Sequence, residues 1–119
     1  MKNNVVRDKS YQFSLDIIRL YQYLMKERKE FLLAKQVIRC GTSIGANIEE
    51  AIGSQSKKDF LAKVSIAYKE TRETDYWLRL LKDTNYLDQK QFTQYKIKID
   101  GLLRLIGSIK KTTHASLNS

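Results

Sequence analysis

The sequence predicts an all-α protein, an antiparallel up-down-up-down four-helix bundle forming a single domain over residues 1–119. Three observations predict it. Proline, which breaks helix interiors, is absent from all 119 residues. Apolar residues recur every three or four positions through four segments, each roughly 20 residues long. The links between these segments are short, so consecutive helices must run back alongside one another. A chain of this length buries roughly two thirds of its unfolded surface around one core. Its hydrophobic and charged fractions, 42% and 29%, are those of a folded chain rather than a disordered one.

The first helix is expected at about residues 9–28. Its apolar residues fall on two arcs, with Tyr11, Leu15, Ile18 and Met25 on one and Phe13, Ile17, Leu20 and Leu24 on the other. Apolar coverage of well over half the circumference predicts more than one hidden face. Ile97 and Leu105 on the fourth helix also lie off its main seam, and together these extra positions predict self-association.

The second helix is expected at about residues 33–52, after the charged link Glu27-Arg28-Lys29-Glu30. It carries the most informative stretch of the chain, from Cys40 to Ala51. Val37, Gly41, Ile44, Ile48 and Ala51 keep helical spacing, while Gly41 and Gly45 remove side chains one turn apart. Two glycines cost a helix about 2 kcal/mol relative to alanine, so close packing at Gly41 and Gly45, or function, must compensate.

Gly53-Ser54-Gln55-Ser56 ends this helix and starts the next, with Ser56 as N-cap and Asp59 three residues on, a capping-box variant. The third helix, at about residues 57–82, has Phe60, Val64, Ala67, Thr71, Thr74, Leu78 and Leu81 along a heptad-like seam. A turn around Thr84 to Asp88, with Asp88 as cap, precedes a fourth helix at about residues 89–111. Its seam is Phe92, Tyr95, Ile99, Leu102, Ile106 and Ile109. Residues 112–119 are expected to fray.

The sharpest polar signal is a second stripe on the third helix, Ile66, Glu70, Glu73, Trp77 and Leu80, which sets two acids among apolar groups. On the second helix Ser43, Asn47, Glu50 and Ser54 line up similarly. Half-buried carboxylates need partners. The candidates are the Ser43 hydroxyl, the Asn47 amide, the Trp77 indole, Arg39 and Arg72, in a structural polar network that fixes helix register or a subunit contact. The alternative is a divalent metal held by the acids, making a carboxylate-dependent enzyme. Glu70 and Glu73 supply one acidic pair where such hydrolases need two, and the only histidine, His114, sits in the tail. No phosphate-cradling loop or nucleophile triad can be assembled, so the expectation is a non-enzyme without metal or cofactor.

Lys and Arg number 22 against 13 Asp and Glu, a net charge of +9 that favours polyanionic partners. The candidate nucleic-acid-binding residues are Lys57 and Lys58 in the first turn of the third helix, and Lys90, Lys96, Arg104 and Lys111 on the fourth. The plain alternative is an ordinary wet, basic face. The lone Cys40 is expected to be a packed thiol. Together with the absence of an 18-residue apolar run or an apolar secretion segment at the start, it predicts a cytoplasmic protein with no membrane partner.

Gly41 to Ala51, then Ser56-Lys-Lys-Asp-Phe60, then Ala67 to Leu81 (AYKETRETDYWLRLL) resemble the bacterial four-helix bundle family of proteins encoded by intervening sequences within 23S ribosomal RNA genes. The resemblance covers nearly the whole chain. It implies an antiparallel four-helix bundle and a ring-like homopentamer. Through similar accessory proteins of diversity-generating retroelements, it also implies a basic scaffold that engages a reverse transcriptase and nucleic acid. Asn47, Glu50, Glu73 and Trp77 match the family pattern, where their role is structural. The function expected is a basic, homo-oligomeric scaffold binding RNA or DNA with low sequence specificity. The runner-up is an adaptor that docks a protein partner on its exposed apolar faces.

Overall fold

The computed structural model describes residues 2–118, with side chains from Val5 onward. Four helices account for nearly all of it: α1 (Lys2–Lys26), α2 (Leu32–Ile52), α3 (Lys57–Asp83) and α4 (Gln89–Asn118). Each packs against the next in sequence and α4 closes back on α1, giving an antiparallel bundle of 50 × 21 × 21 Å. The described residues contain no strand.

The core is formed by the predicted seams. Phe13, Ile17, Leu20 and Leu24 of α1 meet Val37, Ile44 and Ile48 of α2, Val64, Leu78 and Leu81 of α3, and Ile99, Leu102 and Ile106 of α4, all at most 3% exposed. Thr71 and Thr74 are also fully buried, because each hydroxyl donates to a carbonyl four residues back, Thr71 to Ala67 and Thr74 to Glu70, at 2.7 Å.

Gly41 lies where α1 and α2 cross. A Cβ added there would stand 2.8 Å from Ile17 Cγ2, so the missing side chain is what lets the two backbones approach. Gly45 faces Ser14 and the carbonyl of Ser10, another contact between small residues.

The links are short and capped. Ser56 Oγ accepts the Asp59 N–H at 3.0 Å, as expected. Asp88 and Gln91 cap α4 reciprocally, each side chain accepting the other's backbone N–H at 2.8 and 2.9 Å. The start of α2 is held by Glu30, whose carboxylate accepts the Leu33 N–H.

Two helix boundaries correct the sequence reading. Helix α1 begins at Lys2 rather than near residue 9, because Val6 is buried in a pocket formed with Ile48, Ala51, Phe60, Val64 and Ile109. Helix α4 continues to Asn118, so the tail expected to fray over residues 112–119 is helical as far as it is described; Ser119 lies outside the described residues. Nothing between Lys111 and Asn118 stops a helix, and docking on α3 holds it: Lys57 Nζ donates to Ser116 Oγ at 2.6 Å.

Of the off-seam apolar residues, Leu105 and Met25 pack against the core after all. Tyr11 (60% exposed) and Ile97 (65%) remain in solvent, with Ile18 less so. The α1–α4 seam is the loosest of the four, opening into a cleft over Phe13 and Leu102 and bridged by Lys98 Nζ to Asp16 Oδ2 at 2.6 Å. No described helix is long and apolar enough to cross a membrane.

Candidate functional site

Two polar regions stand out, one on each flank of α3. On the α2 flank, Glu70 and Glu73 lie one turn apart on α3, and Arg39 of α2 reaches both. One guanidinium nitrogen hydrogen-bonds Glu73, and the other lies 3.6 Å from Glu70. Trp77 Nε1 donates to Glu73 Oε2 at 3.0 Å. Glu70 Oε2 is buried and accepts no hydrogen bond among the described residues. Burial, then the Glu73 charge, pushes the Glu70 carboxyl above its ordinary range, and Arg39 opposes them.

The expected network is thus drawn together only in part. Arg39, Glu70, Glu73 and Trp77 form it. The Ser43 hydroxyl and the Asn47 amide turn to carbonyls of their own helix, Arg39 and Ser43, at 2.7 and 2.9 Å. Glu50 pairs instead with Lys63 at 3.1 Å, and Arg72 stands exposed with no ion pair among the described residues. Beside the cluster, Cys40 is fully buried, and burial lifts its thiol to about 11. Among the described residues no group of three or more His, Cys, Asp or Glu comes together as metal ligands.

On the α4 flank the charges are arranged differently. Near the middle of the bundle Lys96 is engaged by Asp75 at 2.8 Å and Asp100 at 3.1 Å, which hold its ammonium above its usual range. Beyond Asp100 the chain has no acidic residue to its end, while it carries Arg104, Lys110 and Lys111. Lys57 and Lys58 lie at the adjoining start of α3, and Lys57 reaches across to Ser116. Among the described residues none of these lysines or Arg104 makes an ion pair.

Between the two helices lies a groove of about 430 Å³, lined by Leu61, Ser65 and Tyr68 of α3 and Gly107, Lys110, Lys111 and His114 of α4. Lys110 Nζ stands 5.1 Å from the Tyr68 ring centroid. Gly107 lets the ring seat against α4: a Cβ there would come within 3.2 Å of Tyr68 Cε1. Of the six candidate cations, Lys57, Lys58 and Lys111 therefore share one end of the α3–α4 face. Arg104 lines the α1–α4 cleft, Lys90 lies in the first turn of α4 at the far end, and Lys96 is neutralised.

The family model described as "23S rRNA-intervening sequence protein" matches residues 2–108. The chain belongs to that family. A crystal structure from the S23 ribosomal protein family of Bacteroides thetaiotaomicron, titled as a protein of unknown function, is 48% identical. It superposes with a TM-score of 0.92 over 93% of this chain and 99% of that one. No curated protein matches the sequence. In this chain the segment Gly41–Ala51 forms the close α1–α2 contact, and the segment Ala67–Leu81 carries the Glu70–Glu73–Trp77 stripe that Arg39 clasps.

Sequence reasoning missed the groove residues Leu61, Ser65, Tyr68, Gly107, Lys110 and His114. They sit about forty to fifty positions apart along the chain and meet only through the packing of α4 against α3, with His114 alone lying past the expected end of α4. One signal was legible: the acid-free run after Asp100.

Proposed function

We propose that this protein is a non-enzymatic, homo-oligomeric helical scaffold that binds RNA or other nucleic acid, with low sequence specificity, through the basic α3–α4 face. One observation carries the reading. Glu70 and Glu73 pair with Arg39, Glu50 with Lys63, and Asp75 and Asp100 with Lys96, whereas α4 carries no acid beyond Asp100 and its last lysines make no ion pair among the described residues. Lys57, Lys58, Lys110 and Lys111 gather there on two adjoining helices. An unpaired cluster of this kind attracts a polyanion by releasing its counterions, which favours any sequence alike.

The test is binding of labelled RNA across a salt series. Affinity falls linearly with the logarithm of salt, and Lys57→Glu with Lys58→Glu lowers both the affinity and the slope. Binding that ignores salt rejects the reading. Sedimentation tests the oligomer: the exposed Tyr11 and Ile97 predict assembly at micromolar concentration, and a stable monomer there removes that half of the proposal. The same exposed residues favour a second reading, an adaptor docking a protein partner, which a pull-down that survives nuclease treatment supports.

A further inference from the structure

We infer that the α3–α4 groove around Tyr68 is a seat for one unpaired nucleotide, whose base stacks on the Tyr68 ring and whose flanking phosphates are taken by Lys110, Lys111 and Lys57. The inference rests on the nucleic-acid reading above and names the form of ligand: single-stranded, not duplex.

The groove has the chemical parts of such a seat. Tyr68 is half-buried against the core, so its ring is held in place rather than swinging in solvent. One ring face already has a cation over it, the Lys110 ammonium at 5.1 Å, and a mobile lysine can yield that place to a base while turning to the adjoining phosphate. The volume of about 430 Å³ falls inside the ordinary range for small-ligand sites, about 300–1,000 Å³. The groove lining contains no carboxylate that would repel a phosphate. Leu61 gives it an apolar wall, which backbone phosphates alone would not need. Gly107 keeps the opposite wall flat, since a side chain there would press on the ring.

A duplex cannot use these parts. Its bases are stacked on each other and its phosphates lie outermost, so it can meet the lysines but not the ring. Single strands present a base face to any aromatic they reach, without regard to sequence.

Fluorescence anisotropy with labelled rU10, dT10 and a ten-base-pair RNA duplex, on the intact protein, tests this. Tyr68→Leu is expected to weaken rU10 and dT10 by about tenfold while leaving the duplex unchanged, and Tyr68→Phe to bind all three like the parent. Lys110→Gln with Lys111→Gln weakens all three probes. Ser65→Leu, which fills the groove from α3 and leaves the Tyr68 ring in place, is expected to repeat the loss for the single strands and serves if Tyr68→Leu does not fold. Tighter binding of rU10 than dT10 supports the seat and assigns it to RNA; the reverse supports it and assigns DNA. If both groove variants bind rU10 as the parent does while the lysine variant weakens every probe, the nucleotide seat is wrong and the charge-based function stands. If the parent binds none of the probes at low salt, both fall.

Discussion

Replacing Gly41 by alanine should destabilise the protein even though alanine is the better helix former. The new Cβ would lie 2.8 and 2.9 Å from Ile17 Cγ2 and Cγ1, and 3.3 Å from Ile17 Cβ. Favourable carbon contacts begin near 3.5 Å, so the overlap is roughly 0.6 Å or more. The clashing atoms sit on a β-branched side chain that is 0% exposed, so no terminal rotation relieves them. Overpacking of this kind costs about 1–3 kcal/mol, and the gain in helix propensity returns about 1 kcal/mol. The net loss is up to about 2 kcal/mol. At an unfolding entropy of about 2.1 cal/mol/K per residue, that lowers Tm by up to about 8 °C. Gly101→Ala provides the opposite sign: nothing lies within 4 Å of its Cβ, so only the propensity gain of about 1 kcal/mol remains. The decisive measurement is a double-mutant cycle by urea or thermal denaturation at fixed protein concentration. In an Ile17→Ala background, Gly41→Ala should become stabilising, giving a coupling of about 1–3 kcal/mol, the size of the relieved clash. Additive effects, or a Gly41→Ala variant at least as stable as the parent, would refute the account of this glycine.

Three further outcomes are expected. Folding raises the Glu70 pKa, so the folded protein holds more protons than the unfolded chain between the two values, and this group's contribution to stability falls as pH rises through that window. Glu70→Gln should therefore stabilise at pH 7, with the gain vanishing below about pH 4, and a gain of equal size at both pH values contradicts the burial argument. Cys40, with its thiol lifted to about 11 and no exposed surface, should resist alkylation at pH 8 until the bundle unfolds; rapid stoichiometric labelling in native buffer would show the packing to be wrong. Ser56→Ala and Asp88→Ala should each lower stability by about 1 kcal/mol in urea titrations, since each side chain accepts a helix-initiating N–H at 3.0 or 2.8 Å, and unchanged midpoints would deny the caps their role.

The polar sites show how far residue patterns reach. The stripe that joins Glu70, Glu73 and Trp77 was legible because it lies on one helix, where spacing fixes neighbours. The choice among Arg39, Arg72, Ser43 and Asn47 as partners was not, because it depends on how α2 rotates against α3. Ser43 and Asn47 settled on their own backbone, as such side chains do in helices. Lys96 was indistinguishable from Lys111 in sequence, both being lysines on one amphipathic helix. Asp75, twenty-one residues away, neutralises the first and not the second.

The sequence by itself determined four helices, their order, the core seams and the caps at Ser56 and Asp88, because these depend on periods and neighbours within about four residues. It also pointed to a close approach of some neighbouring backbone at Gly41, and the tertiary structure made α1 that neighbour. Only the tertiary structure decided where α1 starts and α4 stops, since Val6 and Ser116 stay ordered through partners on other helices. It alone decided which cations remain unpaired and that Tyr68 lies beside Lys110, because charge pairing and groove formation depend on distances across the bundle that helical periodicity does not encode.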